Sequence, residues 1–169
     1  MIKRKIYLAS SWRNEQYDGV LSLLELVGHK VYDFRRPKPV DELTGTGYAQ
    51  WGPPATGFSW DEVSAEAGPR PWTRPEYLIA LATDTAQAGF KMDMDALNWC
   101  DTCVLLLPSG RSAHLEAGYA AGKGKDVFIY LNGDDSSDDL MYLMATSLAL
   151  SMDGLLTQLS MASPVRLAS

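Results

Sequence analysis

The stretch Leu105-Leu-Leu-Pro-Ser-Gly-Arg-Ser-Ala-His-Leu-Glu116-Ala-Gly-Tyr-Ala-Ala-Gly-Lys-Gly-Lys125 decides the fold of this chain. An apolar run ends at a Pro-Ser-Gly loop, and a helical segment follows the loop directly. A buried strand that leads into a helix is typical of a parallel α/β sheet. We expect Glu116 in the first turn or so of that helix, at the carboxyl edge of the sheet, where open α/β folds place their ligands.

The same alternation of strand and helix extends along most of the chain. Its order is β-α-β, an insertion, and then α-β-α-β-(α)-β-α, which predicts a parallel sheet with helices on both faces. We therefore predict an α/β fold, a single-domain doubly wound sheet of the flavodoxin or Rossmann-like type, over residues 1–169. The predicted strands are Lys5–Ala9, Lys30–Phe34, Cys103–Leu107, Val127–Leu131 and Thr146–Leu150. The predicted helices are residues 15–27, 76–81, 85–99, 114–121, 140–145 and 152–161.

An insertion rich in tryptophan and proline, residues 36–75, interrupts this pattern. It holds seven of the nine prolines and three of the five tryptophans of the chain, which argues against a regular helix or a central strand. Its aromatic residues argue against plain disorder. Two interpretations stay open, a lid that closes over a binding site and an ordered flap that covers core.

Charge and composition limit the partners of the chain. It has 169 residues, 46% of them hydrophobic, a net charge of −6 and a pI of about 4.8. An acidic chain is not expected to bind a nucleic acid polymer or a membrane surface, both of which favour a basic partner. A small anionic ligand needs only one or two placed arginines and some backbone N–H groups, so it remains compatible with this charge.

Metal, redox and targeting signals are weak. With two histidines and two cysteines we predict no metal and no cofactor, and the pair Cys100 and Cys103 is interpreted as ordinary, reduced and mostly buried thiols. His114-Leu-Glu116 has the H-x-E pattern of zinc deaminases but lacks the P-C-x-x-C that should follow. The apolar run at the N-terminus is too short for a signal peptide, and no stretch approaches a membrane span, so we expect a cytoplasmic protein.

Three features carry candidate chemistry, each with a structural alternative. Glu116 is a candidate nucleophile or general base, or it only complements the positive end of its helix. The loop Ser10–Arg13 offers hydroxyls, N–H groups and a guanidinium to an anion, or Ser or Asn14 caps the next helix. Asp93 and Asp95 lie in the helix before the central strand and, taken alone, suggest a charged helix face.

Together these residues resemble the nucleoside 2-deoxyribosyltransferase family and its relatives that hydrolyse nucleoside 5′-monophosphates. The resemblance rests on Ile6–Arg13, on Asp93-x7-Asp101 and on the segment Ser112–Lys125, and it covers roughly residues 5–35 and 90–145. It implies a glutamate that attacks the anomeric carbon of a sugar, as in retaining glycosidases. It also implies a small-molecule nucleoside or nucleotide as partner and a homodimer or higher homo-oligomer.

The resemblance implies roles for particular residues. Glu116 would be the nucleophile, Asp93 would help hold the base or sugar, and Tyr7 would keep the nucleophile placed. Family members borrow an Asn-x-Met type segment from a neighbouring subunit, and Asp139-Leu-Met141 lies in that place here. The insertion lies outside the common core of the family, and Trp60 in it is a candidate for stacking on a base or closing the site.

One difference between this sequence and the family bears on whether the sugar is transferred to a second base or to water. Transferases carry an aspartate about six residues before the nucleophile, whereas this chain reads Ser109-Gly110-Arg111 there. The monophosphate hydrolases use a Pro-Ser loop at this place and a Ser-x-Arg in the first loop, as in Ser11-Trp-Arg13. Ser109, Gly110, Arg111 and Ser112 would then complete an anion site at a helix N-terminus.

Other readings of the chain remain open. The lack of that aspartate also suits a nucleotide-binding module without turnover. NAD hydrolysis is a further alternative by analogy of fold. A plain α/β domain that binds a protein through its tryptophan-rich loop is another.

Overall fold

The centre of the protein is a sheet of five parallel strands in the order β2-β1-β3-β4-β5. A computed structural model describes residues 2–37, 57–132 and 139–161. The strands are β1 (Lys5–Ala9), β2 (Lys30–Tyr32), β3 (Thr102–Leu106), β4 (Asp126–Tyr130) and β5 (Ser147–Ala149). This order is that of flavodoxin-like doubly wound sheets, so the predicted fold class is confirmed.

Burial explains why these segments form strands. All five residues of β3 are buried, as a strand covered on both faces requires, and the last four residues of β1 and of β4 are buried as well. The helices of this sheet are α1 (Tyr17–Leu26), α5 (Arg111–Gly122) and α6 (Met152–Ser160). Because β1 leads to β2 on one side and β3 leads to β4 on the other, right-handed crossovers put α1 and α5 on opposite faces.

The chain divides into two compact units. The first consists of Met1–Asp33 and Trp99–Ser169 and contains the sheet, while the second is Phe34–Asn98. The second unit takes in the predicted insertion 36–75 together with the helical residues that follow it. The single domain over 1–169 stays a prediction, and the part of the insertion at residues 38–56, including Trp51, lies outside the described residues.

The second unit contains α2 (Trp60–Ala67), α3 (Arg74–Leu81) and most of α4 (Asp84–Trp99). The prediction that the insertion holds no regular helix is therefore wrong. Residues 60–67 contain neither proline nor glycine, and the Ser59 side chain caps α2 by accepting from the Asp61 N–H. A small core forms around Val63, Ala80 and Ala86, against which the half-buried aromatic rings of this unit pack.

A buried arginine connects the start of the chain to its last helix. The Arg4 guanidinium lies 2.7 Å from the Asp126 carboxylate and donates to Leu159 O at 2.8 Å. It also donates to the Thr102 hydroxyl and to Met161 O, so the charge is paired and its donors are used. Removal of Arg4 would leave the Asp126 carboxylate without its cation and the carbonyls that end α6 without a donor.

The helices in the described part of the chain are short or amphipathic. The longest of them, α4, has 16 residues, of which four are buried. None of the described helices combines the length and the apolar character that crossing a membrane requires.

A buried histidine makes stability depend on pH. The His29 Nδ1 atom accepts a hydrogen bond from the Arg4 N–H at 3.2 Å. Burial lowers the pKa of His29 below its ordinary value of 6.5, Lys3 and Arg4 lower it further, and Asp101 opposes them. The unfolded chain therefore binds the proton more readily than the folded chain does, and stability falls as the pH drops below about 6.5.

We predict that His29→Asn makes the protein less sensitive to acid. The asparagine oxygen replaces Nδ1 as acceptor but does not titrate, so the loss of stability between pH 7.5 and pH 5.5 should shrink. Urea unfolding of both proteins at the two pH values measures this difference. An equal loss in wild type and variant would contradict the assignment.

Candidate active site

The candidate site lies where the strand order reverses, between β1 and β3. Both strands run in parallel, with Ala9 opposite Leu105, so the loops that follow them leave the sheet at the same edge. Two side chains of the first loop hold these loops together. The Ser10 hydroxyl donates to Leu106 O at 2.9 Å, and the Asn14 amide donates to Pro108 O at 3.1 Å.

The loop after β1 is built around Asn14, which is 3% exposed. Its side-chain oxygen accepts from the Gln16 N–H at 3.0 Å, and α1 begins at Tyr17 with Gln16 as its N-cap. The expectation that Asn14 caps this helix is therefore wrong, because α1 begins three residues later. The Asn14 oxygen stabilises the turn before the helix, while its amide group donates to the β3 loop. The Ser11 hydroxyl accepts from the Arg13 N–H at 3.2 Å, and the Arg13 side chain is exposed.

The loop after β3 ends at an open helix N-terminus. Helix α5 begins at Arg111, three residues before the predicted start, with Gly110 as its N-cap and no side chain capping it. A Cβ placed on Gly110 would meet no atom within 4 Å, so there is space beside the first N–H groups. Unpaired N–H groups at a helix N-terminus attract anions, and the exposed residues Arg111 and Ser112 lie in the same turn.

Glu116 lies in the second turn of α5 and not in its first. The earlier start of the helix moves this residue to the sixth position, and the first turn contains no acidic residue. The stabilisation of a carboxylate by the helix dipole falls off within the first turn, so helix capping is a poor explanation for Glu116. The side chain is half-buried, and its charge contributes to the raised pKa of the Cys103 thiol, which places it within electrostatic reach of β3.

Tyr7 lies on the sheet face that α5 covers. Cys103 is its register partner on β3, so the two side chains point to the same side of the sheet. The Tyr7 side chain is 1% exposed, and its ring stacks on Tyr32 with a centroid distance of 5.2 Å. The structure therefore brings Tyr7 and Glu116 to one face of the sheet, on either side of Cys103.

Both cysteines are buried and free, as predicted. Burial raises the pKa of the Cys100 thiol to about 11. Burial also raises the pKa of Cys103 well above its usual value, and the neighbouring Cys100 and Glu116 charges add to that effect. Thiols held in the protonated form are poor nucleophiles, so the C-x-x-C pair is structural.

The segment with Asp139 and Met141 forms the start of a 3-10 helix, Leu140–Met144. The Asp139 carboxylate caps this helix by accepting from the Met141 N–H at 2.8 Å. Met141 itself is 61% exposed. The preceding residues 133–138, which include three aspartates, lie outside the described part of the chain.

Sequence reasoning missed the role of His114. Its Nδ1 atom lies 2.9 Å from Gly110 O and 3.4 Å from the Ser109 hydroxyl, and its Nε2 atom lies 3.0 Å from the Tyr142 hydroxyl. The His114 and Tyr142 rings are also nearly parallel, at 17°. The one available signal was the position of a histidine four residues after a helix-capping glycine, and the failed metal motif obscured it.

Two predicted site residues belong to the second unit. Asp93 is half-buried on α4, and its neighbour Asp95 forms an ion pair with Lys91 on the same helix. Trp60 packs edge-to-face on Phe58 and Trp72, with centroids 5.1 and 5.6 Å away. The structure thus gives Trp60 a packing role within its unit, and any contact with a ligand stays a prediction.

Asp101, which contributed to the family resemblance, lies at the opposite end of β3. Its carboxylate accepts from the Lys5 N–H at 3.1 Å and from the Thr102 hydroxyl at 2.8 Å. It therefore joins the starts of β1 and β3 at the amino edge of the sheet. Within the described residues, no group of three or more His, Cys, Asp or Glu side chains is arranged to hold a metal ion.

Comparison with known proteins adds a similarity of structure. No family model matches the sequence, and no curated protein matches it. Among solved structures, the chain is similar to the CMP N-glycosidase BcmB of Clostridium botulinum, with a TM-score of 0.46 and 15% sequence identity. The match covers 92% of this chain and 98% of that one, and a similarity of this extent assigns neither residues nor chemistry.

Proposed function

We propose that the protein cleaves the N-glycosidic bond of a nucleoside or its 5′-monophosphate, with Glu116 as nucleophile. The observation that carries this proposal is the position of Glu116, half-buried in the second turn of α5 beside the switch point of the sheet. The helix dipole does not explain a carboxylate there. Ligands of doubly wound sheets bind at this edge, and a carboxylate at such a place can act as a nucleophile.

The proposed reaction has two steps. A Glu116 carboxylate oxygen bonds to the anomeric carbon while the bond to the base nitrogen breaks, and the base leaves with the electron pair and takes a proton from water. A second water molecule then attacks the same carbon, releases the Glu116 carboxylate and loses its proton to solvent. The net products are free base and sugar, or sugar phosphate. Because residues 109–111 hold no acid to exchange a proton with a base, we favour hydrolysis over base exchange.

The 5′-phosphate would bind at the N-terminus of α5. Ser109, Gly110, Arg111 and Ser112 surround this end of the helix, and Ser11 and Arg13 come from the loop that Asn14 ties to it. Exposed arginines and unpaired N–H groups suit a dianion, in spite of the acidic net charge of the chain. In the same proposal Tyr7 holds Glu116 in place. The role of Asp93 at the base or sugar and that of Trp60 in stacking on a base stay predictions from the sequence.

A second candidate is a nucleotide-binding module without turnover. This binding module is favoured by the sequence Ser109-Gly110-Arg111, which lacks the acid that assists base departure in transferases. NAD is a further candidate substrate for the same nucleophile, because it also contains an N-glycosidic bond. Saturable binding of a nucleotide without release of base after long incubation would support the binding module.

The first prediction concerns the nucleophile. Glu116→Gln keeps the size of the side chain but removes its charge, and base release should fall on the order of 10³-fold or more. Chromatography of free base after incubation with each deoxynucleoside and each 5′-monophosphate measures this loss. The control is Glu25→Gln on the exposed part of α1, which should keep full activity. Undiminished turnover in the Glu116 variant, with unchanged circular dichroism, would exclude this residue as nucleophile.

The second prediction concerns the phosphate. Arg13→Gln removes one charged donor, so KM for a 5′-monophosphate should rise about 10- to 100-fold, while KM for the matching nucleoside stays nearly unchanged. Steady-state kinetics on both substrates separate the two effects. Lys30→Gln removes a positive charge at the amino end of β2 and serves as control. Equal changes for both substrates would place the phosphate elsewhere.

We also propose that the protein forms a homodimer or a higher homo-oligomer through the 3-10 helix. Its apolar residues are unusually exposed for a monomer surface, with Leu140 at 78%, Met141 at 61% and Leu143 at 53%. Leu115 on α5 is 75% exposed as well. Apolar side chains concentrated in one short segment favour association with another protein surface. In such an oligomer Asp139 and Met141 would be the residues that reach a neighbouring site.

Association predicts two results. Leu143→Asp should shift the protein towards monomer in sedimentation velocity, whereas Leu26→Asp, at an 80% exposed position on α1, should not. If sites are shared, mixing inactive Glu116→Ala with inactive Asp139→Ala should regenerate activity that neither parent shows. A wild type that stays monomeric at every concentration would refute the proposal.

A further inference from the structure

We infer that His114 is a positioning residue that fixes the Gly110 peptide at the mouth of the site, with Tyr142 holding its ring. This inference rests on the proposed function, because it assigns a task to a residue beside the proposed phosphate site. His114 and Glu116 lie on opposite flanks of the buried stripe of α5, Ala113, Ala117 and Ala120. His114 therefore acts on the start of the helix from the side away from the nucleophile.

The hydrogen bonds of His114 define its tautomer. Gly110 O has no proton to give, so the contact of 2.9 Å requires that Nδ1 carries the hydrogen and donates. In the neutral ring Nε2 is then the acceptor, and the Tyr142 hydroxyl donates to it at 3.0 Å. The backbone contact from His114 N to the same carbonyl is long, at 3.4 Å, so the side chain supplies the shorter bond.

Holding the Gly110 carbonyl also orients the next N–H group. The carbonyl of Gly110 and the N–H of Arg111 belong to one planar peptide and point in opposite directions. A carbonyl held along α5 by His114 keeps the Arg111 N–H pointing out of the start of the helix. The bond of His114 thus prepares the N–H group that an anion would meet first.

Tyr142 is needed because packing on this side is incomplete. A cavity of about 100 Å³ lies between α5 and the 3-10 helix, lined by His114, Gly118, Tyr142 and Met144 among others. Side chains that border a void lose contacts on one side, so packing alone holds the 3-10 helix weakly there. The stacked and hydrogen-bonded pair of His114 and Tyr142 bridges the two elements and joins the loop after β3 to the segment with Asp139.

Nitrogen-15 NMR of the two histidines tests the geometry without any activity. At pH 8.5 His114 should carry its hydrogen on Nδ1, whereas His29, whose Nδ1 accepts from the Arg4 N–H, should carry it on Nε2. The chain contains only these two histidines, so one variant assigns both signals. A hydrogen on Nε2 of His114 would overturn the inference.

Variants of His114 that keep or remove the hydrogen-bond donor test its positioning role. His114→Asn retains a donor at the Nδ1 position and should keep KM for a 5′-monophosphate within about threefold of wild type, whereas His114→Ala should raise it about tenfold. The effect of His114→Ala on kcat should be much smaller, and Tyr142→Phe should give an intermediate KM. Equal KM values for the Asn and Ala variants, or a loss confined to kcat, would overturn the inference.

If the wild type releases no base from any nucleotide, the proposed function fails and a different readout applies. Inorganic phosphate is then titrated while the Arg111 amide signal is followed by NMR. Weaker phosphate binding by His114→Ala, with recovery in His114→Asn, supports the positioning task. Equal binding by wild type and both variants, or no binding by any of them, overturns it.

Discussion

Parallel pairing of β1 with β3 in the middle of the sheet is the constraint on which the candidate site depends. The two strands come from distant parts of the sequence, yet their register aligns Ile6 with Thr102 and Ala9 with Leu105. The chain leaves both strands at the same edge, because neighbouring parallel strands end together. Asn14, buried between the two exits, converts this proximity into fixed geometry through its contacts to the β3 loop.

The apolar runs of the strands made the fold predictable, whereas the helix boundaries were predicted less accurately. Apolar runs bounded by polar loops predicted all five strands, and the signal is clearest in β1, β3 and β4, which are buried over four or five consecutive residues. The start of α5 was placed at His114 and not at Arg111, because Arg and Ser in a first turn resemble loop composition. That shift of three residues changed the interpretation of Glu116. Helix α2 was missed because prolines on both sides dominated the local composition.

The candidate site was only partly accessible from sequence. Glu116 and Tyr7 were found through motifs, and the structure brings them to one face of the sheet. His114 matches no motif of this kind: one of its partners is the Gly110 carbonyl four residues earlier, and the other is a tyrosine 28 positions later. The double contact of Asn14, whose oxygen accepts from the Gln16 N–H while its amide donates to Pro108 O, likewise cannot be inferred from the local sequence. Contacts between segments far apart in sequence leave no local pattern.

In the proposed function, helix α5 carries two separate tasks. Glu116 occupies one flank and His114 the other, with small buried alanines between them that let the helix lie close to β3. A change on the His114 flank can therefore alter the loop at the start of the helix while the carboxylate keeps its surroundings. Such a separation allows affinity and reactivity to vary independently among related sequences.

The Arg4 contacts have a practical consequence for handling the molecule. Because the Arg4 guanidinium donates to both Leu159 O and Met161 O, the start of β1 lies beside the end of α6. This junction lies at the amino edge of the sheet, opposite the edge with Arg13 and Gly110. A label attached at Ile2 or at Met161 would therefore lie at the edge of the sheet opposite the candidate site.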